Sequence, residues 1–326
     1  MPWNFPFWQV FRAAVPAILA GNSVILKHAP NVGGCALAIE KLFHSCGLPV
    51  GSFTNLFLDN EEVARLIAHP HIRGVTLTGS VRAGSSVASI AGRHIKKTVL
   101  ELGGSDPSIV YSDCDFNRAL NEILTSRMLN SGQTCIATKR VLIQKKIYEK
   151  FKEALVEKVR ALKTGNPLAE GIDLGPMARL DLKETLANQL GRALSSGANV
   201  VYQGDKADDC FFSPAVIENL AFDKPVYREE FFGPVINLVS FEETRDAIEI
   251  ANDSDFGLGA SVYTNDDEIA ELCSSKIEAG SVFINGMVRS DPALPFGGIK
   301  NSGYGRELFL LGAREFVNIK TVARIN

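Results

Sequence analysis

The sequence predicts an α/β fold, with parallel sheets covered by helices and two domains. Its 326 residues exceed a single domain of roughly 150 residues. From Asn22 onward, short β-branched runs alternate with amphipathic stretches, the rhythm of strands laid in parallel and joined by helices. No internal repeat, heptad run or low-complexity tract points to a solenoid or coiled coil.

The elements follow in order. Residues 23–27 (SVILK) read as a buried strand, Asn31 as the cap of a helix running to Ser45, and Gly47-Leu48-Pro49 as its stop. Residues 53–57 form the next strand, and Asp59 caps a helix to Ala68. Residues 74–78 (GVTLT) form a strand that runs into Gly79-Ser80 at the head of another helix, and residues 97–100 form a strand ending at Glu101-Leu102-Gly103-Gly104. A domain boundary is expected near Gly103. Beyond it come a strand at 108–111, a helix at 115–130, a strand at 140–144, a charged helix at 148–163 and a Gly/Pro-rich link at 164–176. A second α/β series has its clearest pieces at 199–202, 242–251, 259–263, 266–275 and 281–285. Residues 295–305 form a glycine-dense loop, and 316–325 read as one last strand.

Hydrophobic residues at 46% and charged residues at 22% exclude global disorder. A net charge of −3 provides no general hold on nucleic acid or an anionic membrane, so neither is an expected partner. Cysteines at 35, 46, 114, 135, 210 and 273 form no C-x-x-C pair, as in a reduced, cytoplasmic protein. Residues 15–21 (VPAILAG) have the small apolar character of a cleavage region, but Arg12 interrupts the run and no basic start precedes it, so a signal peptide is not expected. The five histidines form no H-E-x-x-H and no cluster with cysteines, and no metal site is expected.

Some residues carry chemistry. Cys135 stands in Asn130-Ser131-Gly132-Gln133-Thr134-Cys135, a loop of small polar residues between a helix and a strand, whereas Cys35 and Cys273 sit in helices as small apolar fillers. Cys135 is either one more packed thiol or a nucleophile whose thiolate is favoured by nearby backbone amides. Glu101 ends a strand ahead of two glycines, where parallel sheets place ligands; the alternatives are a functional acid and a solvated strand end. Thr78-Gly79-Ser80-Val81-Arg82-Ala83-Gly84 has phosphate-loop spacing but lacks the lysine, which excludes an NTPase and leaves pyrophosphate at the helix N-terminus open. Lys27 is either a ribose or phosphate ligand or a solvated lysine, Asn4 a turn amide or a held donor, and Glu230 a surface acid or a ribose ligand.

Taken together, these segments resemble the aldehyde dehydrogenase superfamily. The resemblance rests on Pro2-Trp3-Asn4-Phe5-Pro6, Thr78-Gly79-Ser80, Leu100-Glu101-Leu102-Gly103-Gly104, Gly132-Gln133-Thr134-Cys135, Glu230-Phe231-Phe232-Gly233-Pro234, Pro295-Phe296-Gly297-Gly298 and Ser302-Gly303-Tyr304-Gly305-Arg306-Glu307, in family order across the whole chain. The wording at Leu26-Lys27-His28-Ala29-Pro30-Asn31, at 104–107 and at 173–179 is similar to the bacterial succinate-semialdehyde dehydrogenases that accept NAD or NADP. The resemblance implies a partial NAD(P)-binding domain at 1–103, a catalytic domain at 104–296, a return to the cofactor domain at 297–315 and an oligomerisation strand at 316–326 in a homo-oligomer. It implies Cys135 as nucleophile, Asn4 and the Cys135 amide as oxyanion donors, and Glu101 as general base for thioester hydrolysis. Cofactor-binding residues would be Trp3, Asn4, Lys27, His28, Pro30, Gly79, Ser80, Leu102, Glu230 and Phe232, with Lys27 and Glu230 on the two riboses.

Two departures bear on specificity. Where NAD-specific relatives commonly have Lys-x-x-Glu, this chain has Lys27-His28-Ala29-Pro30; without that carboxylate a 2′-phosphate meets no repulsion, and His28 and Lys27 are expected to attract it. Arg12, eight residues after Asn4, matches an arginine by which the succinate-semialdehyde enzymes hold the substrate carboxylate, the alternative being a helix-surface arginine; Ser290 is the second substrate-side residue. Family members also have a segment ahead of the Pro-Trp-Asn-Phe-Pro motif, so the sequence is expected to lack part of the cofactor domain. The alternative to an aldehyde-oxidising enzyme is therefore a truncated, catalytically silent homologue.

Overall fold

A computed structural model of the chain describes residues 1–205 and 209–325. They divide into two units: Met1–Leu102 with Ser290–Gly297 and Gly303–Asn326, and Gly103–Arg289 with Gly298–Ser302.

The first unit opens with α1 (Trp8–Leu19), then β1 (Val24–Leu26), α2 (Gly33–Ser45), β2 (Phe53–Asn55), α3 (Asn60–Ala68), β3 (Gly74–Thr78), α4 (Val81–Arg93) and β4 (Lys97–Glu101). β1 pairs with β2 and β3 with β4, both in parallel. Val10, Ala14, Ile39, Phe43 and Phe53 form an apolar cluster beneath β1 and β2. Asp59 caps α3 with a full capping box to Glu62, and the Ser80 hydroxyl caps α4 through the Ala83 amide at 3.3 Å. Asn31 does not cap α2: it lies in a 3-10 turn, Pro30–Val32, that precedes the helix, because Pro30 fits the first position of a helical turn.

The second unit contains β5 (Pro107–Val110), α5 (Phe116–Met128), β6 (Arg140–Gln144), α6 (Tyr148–Arg160), α7 (Leu180–Ser195), β7 (Asn199–Gln203), β8 (Ala215–Glu218), β9 (Val235–Phe241), α8 (Thr244–Asn252), β10 (Phe256–Gly257), β11 (Gly259–Tyr263), α9 (Asp267–Lys276), β12 (Ser281–Ile284) and β13 (Ile299–Lys300). Its seven-stranded sheet runs β12-β11-β5-β6-β9-β8-β7 and is parallel except for the antiparallel edge pair β7–β8. Both faces are covered, as a parallel sheet requires. Along β6, Val141 and Ile143 pack with Ile123, Phe151 and Leu155 of α5 and α6, while Leu142 packs with Ala247 and Cys273 of α8 and α9.

The first unit is completed by β14 (Gly303–Tyr304), antiparallel to β4, and α10 (Phe309–Ala313). Gly303 has φ +107°, and a Cβ there would sit 2.0 Å from the Leu100 carbonyl oxygen, so only glycine allows β14 to close on β4. The expected strand over 316–325 is not formed. Phe316 packs on Gly74 and accepts a hydrogen bond from Asn22 Nδ2 at 3.0 Å, but no described strand lies alongside the residues that follow, and Ile319, Val322 and Ile325 are exposed. Apolar alternation produces a strand only where a neighbour takes up its backbone groups. Among the described residues, no helix is long and apolar enough to cross a membrane, and no group of acidic, His and Cys side chains could hold a metal ion.

Candidate active site

In the second unit, Cys135 follows an unusual turn. Asn130 and Ser131 both have φ +54° and Gly132 φ +74°, a left-handed run that non-glycine residues adopt only when the surroundings impose it. Fully buried Arg127 imposes it from below, donating to the carbonyls of Gly132 at 2.6 Å, Phe231 at 3.2 Å and Gly233. A Cβ at Gly132 would collide with the Gly233 carbonyl carbon at 2.5 Å and Arg127 Nη2 at 2.6 Å. The Ser131 hydroxyl donates to Gly175 O at 2.9 Å, and Gln133 Oε1 accepts from the Ala178 amide at 2.9 Å. Residues 131–134 are buried, and Cys135, half-buried, is the first to reach partial exposure.

A second buried cation, Lys139, stands behind the same loop. Its ammonium donates to Thr134 O at 2.8 Å and to Cys135 O, and lies 3.3 Å from Glu230 Oε1. That carboxylate also accepts from the Gly104 amide at 3.1 Å. Glu230 is thus held by Lys139 and Gly104, with its neighbour Phe232 half-buried. Burial lowers the pKa of Lys139, while Glu230, Asp106 and the Cys135 side chain pull it back up.

In the first unit, Glu101 ends β4 with 2% exposure. Neither carboxylate oxygen has a hydrogen-bond partner among the described residues. Burial, reinforced by the Glu307 carboxylate and opposed by Arg12 and Arg306, pushes its carboxyl well above the usual carboxylate range. The Gly79 amide donates to Glu101 O at 2.9 Å, which sets the β3–α4 turn directly beside the end of β4. Gly79 is open, with only Ala83 Cβ near a would-be side chain at 3.9 Å; Ser80 is exposed, and the buried Thr78 hydroxyl has no partner among the described residues. Leu102 is buried against α4, where a Cβ at Gly84 would come within 2.6 Å of it. Trp3 and Asn4 are half-buried in the turn ahead of α1, Lys27 is half-buried after β1, and Pro30 is exposed.

Two residues depart from expectation. His28 is buried at 5% exposure; its Nε2 faces Pro6 O at 3.0 Å and its Nδ1 accepts from the Ala29 amide at 3.0 Å. Its Nδ1 also faces Met1 O at 3.1 Å, and burial, the largest cause, lowers its pKa, which disfavours the positive charge expected to attract a 2′-phosphate. Arg12 is not on the helix surface either: it is 4% exposed, its Nε pairs with Glu307 Oε2, and its guanidinium lies 4.3 Å from the centroid of the Phe296 ring. Ser290 accepts a hydrogen bond from Trp8 Nε1 at 3.0 Å.

Sequence reasoning missed Lys139, Arg127, Asp106 and Glu307, all buried with charged side chains. The Lys139-Arg140 pair at the head of the apolar run Val141-Leu142-Ile143 was the available signal, since charges there are either solvated or tied to buried carbonyls.

Residues 1–322 match one family profile, described as the aldehyde dehydrogenase family. The chain belongs to the aldehyde dehydrogenase family. Among curated family members, it is 47% identical to a probable NADP(+) succinate-semialdehyde dehydrogenase of Synechocystis over 324 residues, covering 99% of this chain and 71% of that protein. It is 46% identical to an NAD(P)+ succinate semialdehyde dehydrogenase of Escherichia coli, covering 99% of this chain and 70% of that one. Among solved aldehyde dehydrogenase structures, the succinic semialdehyde dehydrogenase of Streptococcus pyogenes in complex with NADP+ superposes with a TM-score of 0.97 at 41% identity, over 100% of this chain and 72% of that chain.

Proposed function

We propose that this chain oxidises succinate semialdehyde, or a similarly short aldehyde, to the acid with NAD or NADP, through a thiohemiacetal and a thioester on Cys135. The observation that supports this most strongly is the Cys135 turn: a left-handed run held by buried Arg127 and Lys139 leaves one half-buried thiol at its end.

In this reading the Cys135 thiolate attacks the aldehyde carbon, and Asn4 Nδ2 and the Cys135 amide donate to the resulting oxyanion. A nicotinamide dinucleotide, when bound, supplies the hydride acceptor. Glu101 then takes a proton from the water that attacks the thioester, releasing the carboxylic acid and the thiolate. A carboxyl raised above its usual range holds that proton more readily near neutral pH.

The residues fit such a dinucleotide. The open Gly79 and the first amides of α4 form a site for pyrophosphate at a helix N-terminus, beside the orphaned Thr78 hydroxyl. Lys27 and Glu230 are the ribose ligands, Trp3, Asn4 and Pro30 line the cofactor, and Leu102 and Phe232 border its nicotinamide. With no acid at Pro30, NADP is accepted, as the names of the Synechocystis and Streptococcus proteins state of those enzymes. For the substrate carboxylate we assign Arg12, whose Nε pairs with Glu307, and the Ser290 hydroxyl. A cytoplasmic homo-oligomer completes the reading, with Ile319, Val322 and Ile325 covered by another copy.

Initial rates with succinate semialdehyde and each cofactor test it. Turnover with NADP at a rate at least comparable to that with NAD is expected; strict rejection of NADP contradicts the cofactor assignment.

A further inference from the structure

Three buried cations underlie the second unit's chemistry, and they differ in what they hold. Arg127 donates to the carbonyls of Gly132, Phe231, Gly233 and Thr138, and Arg140 to those of Ser105, Ile250 and Ala251. Lys139 is bonded to Cys135 itself, through its carbonyl, and to Thr134 just before it. The same ammonium lies 3.3 Å from Glu230 Oε1, with a side chain 1% exposed against 19% for Glu230.

We propose that Lys139 is a positioning residue that ties the nucleophile loop to the ribose-side carboxylate of Glu230 and turns a positive charge toward the Cys135 thiolate. This rests on the reading of Cys135 as nucleophile and Glu230 as ribose ligand.

The packing leaves Lys139 little freedom. A Cβ at Gly104 would meet Cys135 O at 2.6 Å, and one at Gly103 would meet Glu230 Oε2 at 2.5 Å. The backbone of 103–104 is therefore wedged against both groups that Lys139 holds. The Gly104 amide adds a donor to Glu230 Oε1, so the carboxylate, the ammonium and the Cys135 carbonyl form one continuous polar chain. Buried charges keep such chains only when each member is satisfied. The groups facing Lys139 are Glu230 from the 229–234 loop, Asp106 ahead of β5, Arg127 from α5 and Cys135. Glu230 and Asp106 stabilise the ammonium and Arg127 opposes it. A thiolate at Cys135 favours the ammonium, and by reciprocity the ammonium favours the thiolate.

Two neutral variants test this. Lys139→Gln keeps a donor to the loop carbonyls without the charge, and Lys139→Met removes both. Each is read by the pH dependence of iodoacetamide alkylation, quantified on the Cys135 peptide by mass spectrometry, by the KM for NADP, and by melting temperature. The expected result is an alkylation midpoint raised by about one pH unit in both, equivalent to about tenfold slower alkylation at pH 7, with the NADP KM raised severalfold. Lys139→Arg, which keeps the charge, is expected to retain the wild-type midpoint. A Lys139→Gln chain that melts like wild type with midpoint or KM unchanged overturns the proposal, as does a raised midpoint in Lys139→Arg. Alkylation needs no turnover, so failure of the dehydrogenase reading, seen as activity surviving in Cys135→Ala, is distinguished from failure of this one.

Discussion

Arg12 and Glu307 form an ion pair in which each side chain is only 3% exposed. The Thr76 hydroxyl donates to the other Glu307 oxygen at 3.1 Å, and the Phe296 ring covers the Arg12 guanidinium. The two charges act on Glu101 with opposite sign, Glu307 raising its pKa and Arg12 lowering it.

The pair can therefore be read through Glu101. Glu307→Gln removes the raising charge and is expected to move the acid limb of the rate profile to lower pH, while Arg12→Met moves it to higher pH. Both variants lose stability by about 3–5 kcal/mol, because each breaks a buried ion pair. Rate profiles and denaturant melts check this, and limbs that shift in the same direction contradict it.

Glu101→Gln is expected to release about one equivalent of reduced cofactor per chain and then stall, with steady turnover down by roughly 10²–10⁴-fold. Gly297→Ala should resemble it in milder form: a Cβ there lies 2.7 Å from Glu101 Oε1 and from Gly305 O, at φ +157°, and displaces the carboxylate. Rapid mixing separates burst from turnover, and loss of the burst in Glu101→Gln would assign the residue to the first half-reaction instead.

Asp106 makes stability depend on pH. Burial, the largest cause, raises its pKa from 3.8 to about 7, opposed by Lys139 and by the Gly259 amide. Between those values the folded chain holds a proton that the unfolded chain has released. This contribution is therefore full below pH ~4, falls as pH rises at up to about 1.4 kcal/mol per unit, and is flat above pH ~7. Asp106→Asn is expected to remove that slope, seen as a stability difference between wild type and variant that changes with pH; a constant difference from pH 4.5 to 7.5 contradicts it.

Much of this was legible before the structure. The 74–78 and 97–100 strands, the Asp59 cap and the Gly79-Ser80 helix start follow from local rules and are formed. Helix α1 was obscured by Pro16, tolerated in its last turn. The order of the seven strands is set by long-range packing of apolar runs that look alike, which no local pattern encodes. Burial of Arg12, Arg127 and Lys139 could not be read because arginine and lysine are usually solvated; each is inside because it answers carbonyls or a carboxylate brought there from distant segments. Strand-like alternation at 316–325 misled for the same reason, since pairing depends on a neighbour. Cys135 and Glu101 stood out because glycine-rich surroundings set them apart from packed thiols and solvated acids.

The central claim is that Cys135 carries the oxidation. Its most direct test is the absorbance of reduced cofactor with succinate semialdehyde and NADP, comparing the wild-type chain with Cys135→Ala. Steady formation in the wild type and none in a folded variant is the predicted result; equal rates in the two would contradict the account.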